Sequence, residues 1–397
     1  MKKILIFSLA YHPHVGGAEV AVKEITDRIK DFEWHMITLC FDNEPSEEKI
    51  GNVHVHRTGI GSTYISKILF VLQAVSRAIE LHKKHHFEGI WAMMSYMLIP
   101  VVILRMRGLS LPYALTLQEG DTYEHMFNRL RVLPFLPLLS SGFKNATIVQ
   151  TISNYLSGWA RRRGYKENIE VIPNGYDTWW FTEYDFNLDR TKFWKNNGIN
   201  DKGTILITTS RLVHKNAIDI VIKAMKKLPE TVNFVILGNG PERSNLETLA
   251  TRLGVSGRVH FLGNKINSRS SDENDARVVH YLYASNIFVR PSRSEGMGNS
   301  FIEAMAVGLP VIATQEGGIA DFLFDEKRNY DKETTGWAVD KDSPEQVAEA
   351  VKEILSNKEK TSRVIANAKK MVIEKYDWNL IARDMKEKVF DVLFQKV

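Results

Sequence analysis

Cysteine is almost absent: Cys40 is the only one in 397 residues. A single thiol excludes a disulfide framework and any zinc site built on several cysteines. Long apolar runs are missing too. The longest, Met97 to Leu104, gives way to Arg105 and Arg107 after eight residues, far short of the roughly twenty a spanning helix needs. The apolar stretch Ile4 to Ala10 is short and is followed by Pro13 and Gly16-Gly17, so it does not read as a signal peptide. There is no strong charge of one sign. Lys and Arg number 52 against 47 Asp and Glu, a net of +5. That balance is too mild for a nucleic-acid binder, yet it suits an anionic ligand or membrane surface. A cytoplasmic protein, peripheral on the inner face of a membrane at most, is the expectation.

What is present is alternation. Short β-branched apolar runs alternate with longer stretches of helical period, the pattern of parallel βα units. The expected strands are Ile4–Leu9, Met36–Cys40, Val53–His56, Gly89–Met93, Tyr113–Gln118, Thr147–Thr151 and Glu170–Ile172. Pro173-Asn174-Gly175 then breaks the pattern, and about 25 aromatic and polar residues follow before it restarts. The second series is Thr204–Thr209, Asn233–Leu237, Val259–Leu262, Ile287–Val289, Val311–Ala313 and Trp337–Val339. The length fits two domains, placed at 1–175 and 176–376. Residues 377–397 form a terminal amphipathic helix in which Ile381, Met385, Val389 and Leu393 recur every fourth position. The fold class is α/β: two Rossmann-like sheets, expected to face a central cleft. Ligands of such sheets bind beyond the carboxyl ends of the strands.

Four stretches follow strands in that way. His14-Val15-Gly16-Gly17-Ala18-Glu19 places two glycines before a helix, where backbone N–H groups can meet an anion. The Gly-x-Gly-x-x-Gly spacing is absent there, and a plain βα turn explains the stretch equally well. Ser210-Arg211-Leu212-Val213-His214-Lys215 offers two cations suited to a diphosphate, although surface cations are more often only solvated. Gly238-Asn239-Gly240-Pro241 reads as a turn with Pro opening a helix. The richest stretch runs from Arg290 to Met305, with Glu295 in a glycine loop and a helix starting near Asn299 or Ser300, both good caps. Glu303 leans back toward that loop, where backbone N–H groups from Gly298 to Phe301 also point. Carboxylates for hydroxyls beside amides for phosphate suit a nucleotide sugar.

Together these stretches resemble the retaining GT-B glycosyltransferases of family 4. EGMGNSFIEAMAVGLP at 295–310 is similar to their E-x7-E signature. HVGGAE (14–19), VIPNGYD (171–177), SRLVHK (210–215), VILGNGPE (235–242), RVHFLG (258–263), VIATQEGG (311–318) and TGWAVDKDSPEQVA (335–348) follow that family's order over essentially the whole chain. The resemblance implies a nucleotide-sugar donor, UDP- or GDP-type, and a saccharide or lipid-linked acceptor. Transfer would be metal-independent with an α-linked product, in polysaccharide or glycolipid assembly. It implies that Arg211 and Lys215 neutralise the donor diphosphate, Glu303 holds the ribose and Glu295 contacts sugar hydroxyls. Gly238, Gly296, Met297, Gly298, Asn299 and Ser300 would line the donor, Gly16 and Gly17 would close on its diphosphate, and the terminal helix 377–397 would cross back to pack on the first domain. An epimerase of the same fold and a non-catalytic binder are the alternatives.

The chain departs from the family pattern in places. Lys215 stands one position before the usual lysine, where Asn216 is found. Gln118 replaces a common His, so Gln118 and Glu119 join the catalytic candidates, with Asp121 and His125 nearby. No metal is expected. Asp340-Lys341-Asp342 precedes Ser343-Pro344, a helix start, and His82, His85 and His86 sit where cations complement a helix C-terminus. Between Val101 and Lys166 there are nine Lys and Arg against three acids, interleaved with the apolar segment Met126–Leu139. That combination fits an anionic membrane surface, or equally a core helix with a solvated face.

Overall fold

The computed structural model describes residues 1–179, 181, 188–199, 203–265 and 277–395; residues 180, 182–187 and 200 of the stretch after Gly175 lie outside that set. The chain divides into two compact units, Met1–Gly175 with Trp378–Val397, and Tyr176–Asp377.

The first unit holds β1 (Lys2–Phe7), β2 (Phe32–Leu39), β3 (Glu47–Ile50), β4 (Val53–Thr58), β5 (Gly89–Met93), β6 (Tyr113–Leu117), β7 (Ile148–Thr151) and β8 (Ile169–Val171). They form one sheet in the order β3-β4-β2-β1-β5-β6-β7-β8. All pairs are parallel except β3 with β4. Edge strand β3 was not expected: Glu-Glu-Lys-Ile carries no apolar face, and its residues are exposed or half-buried. β2 begins four residues before the expected Met36, because Glu33 and His35 interrupt the apolar signal.

The terminal segment packs on this sheet. Trp34, Trp91 and Phe390 meet edge to face or tilted, with ring centroids 4.9 to 5.9 Å apart. Trp378, Ile381, Met385, Val389 and Leu393 are buried in the same core. Each such side chain contributes roughly 1.5–3 kcal/mol. The packing is close at Gly89, where a Cβ would sit 2.9 Å from the Leu393 side chain. The segment is not one uniform helix: Trp378–Met385 passes through a π-turn at Lys386–Phe390 before Asp391–Leu393.

The second unit holds β9 (Thr204–Thr209), β10 (Val232–Leu237), β11 (Val259–Gly263), β12 (Ile287–Arg290), β13 (Val311–Ala313) and β14 (Trp337–Ala338). The sheet runs β11-β10-β9-β12-β13-β14 and is parallel throughout. The order in which strands are added reverses between β9 and β12, so the loops after β9 and β12 meet at a switch point, where open α/β sheets bind ligands. The core beneath is aliphatic, with Leu206, Val221, Phe234, Ile236, Ile312 and Val351 among its buried members.

Candidate active site

Arg290 organises the carboxyl edge of the second sheet. It ends β12 and is 5% exposed. Its Nη1 donates to the Thr209 carbonyl at 3.1 Å and to Ser300 Oγ at 2.9 Å, and its Nη2 donates to Glu295 Oε2 at 2.9 Å. The guanidinium lies 4.2 Å from the centroid of the Phe301 ring. One side chain thus joins the end of β9, the glycine loop and the helix Asn299–Ala306. Burial lowers its pKa, while the charges of Glu295 and Glu303 pull it back up. Both carboxylates of the glycine loop and helix therefore act on the same cation.

The loop around Glu295 depends on two glycines. Gly298 is left-handed at φ +90, and a Cβ there would lie 2.6 Å from the Phe301 ring. At Gly317, φ is +63 and a Cβ would meet the Glu295 carbonyl at 2.0 Å. That same carbonyl accepts from Gly318 N at 3.0 Å, and Glu295 Oε1 accepts from Gly296 N at 3.1 Å. The helix starts at Asn299 with Gly298 as its cap and no side-chain cap. Asn299 and Ser300 therefore do not cap it as the sequence suggests: Asn299 is already helical and Ser300 Oγ is taken by Arg290. Met297 is buried beside them. Among the amides expected to face a ligand, that of Phe301 is engaged by the Gly298 carbonyl at 3.1 Å.

The Arg211–Lys215 loop is fixed by its backbone. Buried Asn216 donates to the Arg211 carbonyl at 2.7 Å. Arg293 donates from its N–H to the Lys215 carbonyl at 2.7 Å and from Nη1 to the His214 carbonyl at 2.6 Å. It also pairs with both oxygens of Asp219 at 2.9 Å and with Asp342 at 2.7 Å. Burial works against ionised Asp219, but its hydrogen bonds to Arg293 and Lys223 outweigh that and hold its pKa low. The Arg211 side chain is exposed and Lys215 half-buried. Among the described residues Arg211 makes no ion pair. Gly238 presses on this loop: a Cβ would lie 1.9 Å from the Ser210 carbonyl, and one on Gly240 would lie 2.3 Å from the Leu212 carbonyl. Pro241 precedes the helix Arg243–Arg252 instead of opening it. Thr208 Oγ1, Thr209 Oγ1, Ser210 Oγ and Ser292 Oγ are buried at the same edge with no hydrogen-bond partner among the described residues, a concentration of polar groups that buried sites rarely carry without use.

In the first unit, Gly16 caps the helix Gly17–Arg28, its N–H donating to Glu19 Oε2 at 2.7 Å. Gln118 and Asn174 exchange amide hydrogen bonds at 3.2 and 3.0 Å. Glu119 is 2% exposed and accepts from Ser95 N at 2.6 Å and Gln118 N at 3.0 Å. Burial raises its pKa while the backbone N–H groups oppose the rise. Gln118 and Glu119 thus fasten the chain around β6 and β8. Asp340 is held by Arg328 and Gln346, and Asp342 by Arg293, while Ser343 Oγ caps the helix Pro344–Ser356.

Sequence reasoning did not single out Arg290 or the Arg293–Asp219 pair. The signal for Arg290 was legible as a lone charge completing an apolar strand, Ile-Phe-Val-Arg. Arg293 and Asp219 lie 74 positions apart, and no local pattern links them.

Two α/β units, each built on a mainly parallel sheet and one with cations and carboxylates gathered at the switch point of its sheet, are the architecture of the two-domain GT-B glycosyltransferases. Sucrose-phosphate synthase from Thermosynechococcus elongatus shares the fold over 100% of both chains, with a TM-score of 0.82 at 19% identity. Residues 189–371 match the glycosyl transferases group 1 family and residues 15–180 match Glycosyltransferase Family 4; the chain belongs to this glycosyltransferase family. An uncharacterised glycosyltransferase of Methanocaldococcus jannaschii is 28% identical over 96% of each chain. The GDP-mannose-dependent alpha-(1-6)-phosphatidylinositol monomannoside mannosyltransferase of Mycobacterium tuberculosis is 29% identical, also over 96% of each.

Proposed function

We propose that the protein is a retaining, metal-independent glycosyltransferase. It moves a sugar from a UDP- or GDP-type donor to a saccharide or lipid-linked acceptor with an α-linked product. The observation that carries this reading is the ion pair of Glu295 with buried Arg290, on the sheet edge that also bears exposed Arg211. Arg211 and Lys215 take the charge that develops on the departing diphosphate, and Glu303 accepts hydrogen bonds from the ribose hydroxyls. Glu295 is ion-paired with Arg290 and accepts from Gly296 N, which makes it a poor nucleophile and favours attack from the face the leaving group departs. A GDP-type donor and a lipid-linked acceptor are supported by the mycobacterial relative, a GDP-mannose-dependent phosphatidylinositol monomannoside mannosyltransferase.

A donor that binds only the folded protein raises its melting temperature. In a screen of UDP, GDP, ADP and their sugars, one base is expected to stabilise by about 2.7 kcal/mol at a hundredfold excess over Kd. A flat response to every nucleotide and nucleotide sugar at millimolar concentration would refute the donor assignment.

No helix among the described residues is long and apolar enough to cross a membrane. A peripheral attachment is supported by the helix Tyr64–His85, whose Ile65, Ile68, Leu69 and Leu72 form one exposed face. Arg131 lies over the Tyr64 ring at 5.0 Å, and neighbouring Leu130 and Leu133 are exposed. Flotation with anionic vesicles should capture the wild type, and I65S/L69S/L72S should bind at least about tenfold more weakly, given roughly 25 cal/mol per Å² of apolar area. Equal flotation of the two proteins, or none of the wild type, counts against attachment by this face.

A further inference from the structure

At the start of β2, away from the loops that follow the strands, a group of imidazoles and carboxylates lies on one side of the first sheet. Glu33 and His35 are two apart on β2, and His54 and His56 two apart on β4. Trp34, Met36, Val53 and Val55 point the other way into the core with the terminal segment. The His35 ring stacks on His54 at 4.9 Å and on His56 at 5.3 Å, and meets His85, at the end of the helix Tyr64–His85, at 4.3 Å. His35 is 2% exposed and His56 is 6% exposed.

Counting protons through this group exposes a deficit. Glu33 Oε1 and His35 Nε2 are 2.8 Å apart, His35 Nδ1 and His56 Nε2 are 3.0 Å apart, and His56 Nδ1 and Glu47 Oε1 are 3.3 Å apart. The row has a carboxylate at each end and two imidazoles between them, with three gaps to fill. Two neutral imidazoles bring one N–H each, so one of the three gaps lacks a proton unless a cation enters: either a nitrogen lone pair faces a carboxylate oxygen or the two imidazole lone pairs face each other.

The Glu33 end is the one with a further imidazole beside it, His85. A proton chain running His35 Nδ1–H to His56 Nε2, and His56 Nδ1–H to Glu47, leaves the His35 Nε2 lone pair facing Glu33. Glu33, His35 and His85 each offer one ligand atom, and these atoms lie within 4.8 Å of one another. Zinc holds such atoms at about 2.0–2.2 Å, so the three side chains would adjust around the ion, with Glu33 and His35 moving apart from their 2.8 Å contact. A histidine ligand that donates its other N–H to a further acceptor, itself anchored on a carboxylate, is the outer arrangement metal sites use to fix the tautomer. Lys3 Nζ reaches Glu33 Oε1 at 3.5 Å. It neutralises part of that charge but brings no ligand to the His35 lone pair.

We infer that Glu33, His35 and His85 form a binding site for one divalent transition-metal ion of the zinc class, which ties the end of the helix Tyr64–His85 to β2. The role is structural, separate from the donor chemistry of the second unit, and does not rest on the function proposed above. Two imidazoles and one carboxylate with a fourth position for water are a nitrogen and oxygen set that suits zinc over magnesium or calcium.

The test uses tag-free, full-length protein, stripped with a chelator and dialysed against zinc at neutral pH. Wild type should retain one zinc per chain. Glu33→Gln and His85→Ala alter half-buried side chains, which the fold tolerates, and each should weaken retention by at least about 10–100-fold. His86→Asn, at the left-handed helix cap beside the site, should retain zinc like the wild type. So should His14→Ala, which removes the other cluster, His14 with Asp42 and Glu44. Absence of stoichiometric zinc in wild type, equal retention by E33Q and H85A, or loss in H14A would each overturn the assignment. So would a histidine NMR spectrum in which the third gap holds a proton that zinc fails to displace.

Discussion

Replacing Arg290 by alanine should cost about 3–5 kcal/mol of stability, the penalty for removing one member of a buried pair and leaving the other charge without its partner. The loss has several sources in one place. The Thr209 carbonyl and Ser300 Oγ lose a donor, Glu295 loses its counter-ion, and the Phe301 ring loses the cation above it. For a unit of roughly 200 residues this corresponds to a fall in Tm on the order of 10 °C. Arg290→Lys keeps the charge but cannot reach three acceptors from one planar group, so it should fall between alanine and wild type. Hydrogen exchange should rise in the second unit, at residues 208–217 and 290–302, and stay unchanged in β1 to β8. If R290A melts within about a degree of the wild type, Arg290 is not the organising residue of this edge.

The parallel sheets were legible because buried parallel strands read as short, nearly continuous apolar runs. Thirteen runs picked from the sequence coincide with thirteen strands. The exception, β3, is an edge strand made by backbone pairing alone, and Glu47, Glu48 and Lys49 give no hydropathy signal. The late start assigned to β2 has a chemical cause. Glu33 and His35 look like loop residues by polarity, yet they sit in a strand because His56, His85 and Lys3 supply partners that lie elsewhere in the sequence. At the second sheet's edge, position was legible and partnership was not. Glu295, Glu303 and Arg211 follow strands where ligands bind, but that Glu295 and Glu303 both bear on Arg290 depends on how the glycine loop folds. Gln118 shows the same limit: its partner Asn174 lies 56 residues away, and only the folded chain shows the two amides bonded to each other.

Arg211→Ala and Glu303→Gln should both depress transfer, through different kinetic terms. The Arg211 side chain is exposed, so its removal leaves stability nearly unchanged and any effect reports on chemistry. If its charge acts on the leaving diphosphate, it matters most where that charge is greatest, in the transition state. R211A should then lower kcat about 10²–10³-fold, the usual loss for one such stabilising group, with a smaller change in donor KM. Glu303 is assigned to the ribose, which does not react, so its contribution is felt equally in ground and transition states. E303Q should raise donor KM by about tenfold or more, corresponding to a charged hydrogen bond of roughly 1.5–3 kcal/mol, while kcat moves little. The donor found in the melting screen serves as substrate, and slow donor hydrolysis suffices where the acceptor has not been identified. A change in KM alone for R211A would make Arg211 a binding residue and move the stabilisation of the leaving group to Lys215 and the helix N-terminus. Unchanged kcat and KM in both variants would remove the second unit's sheet edge as the donor site.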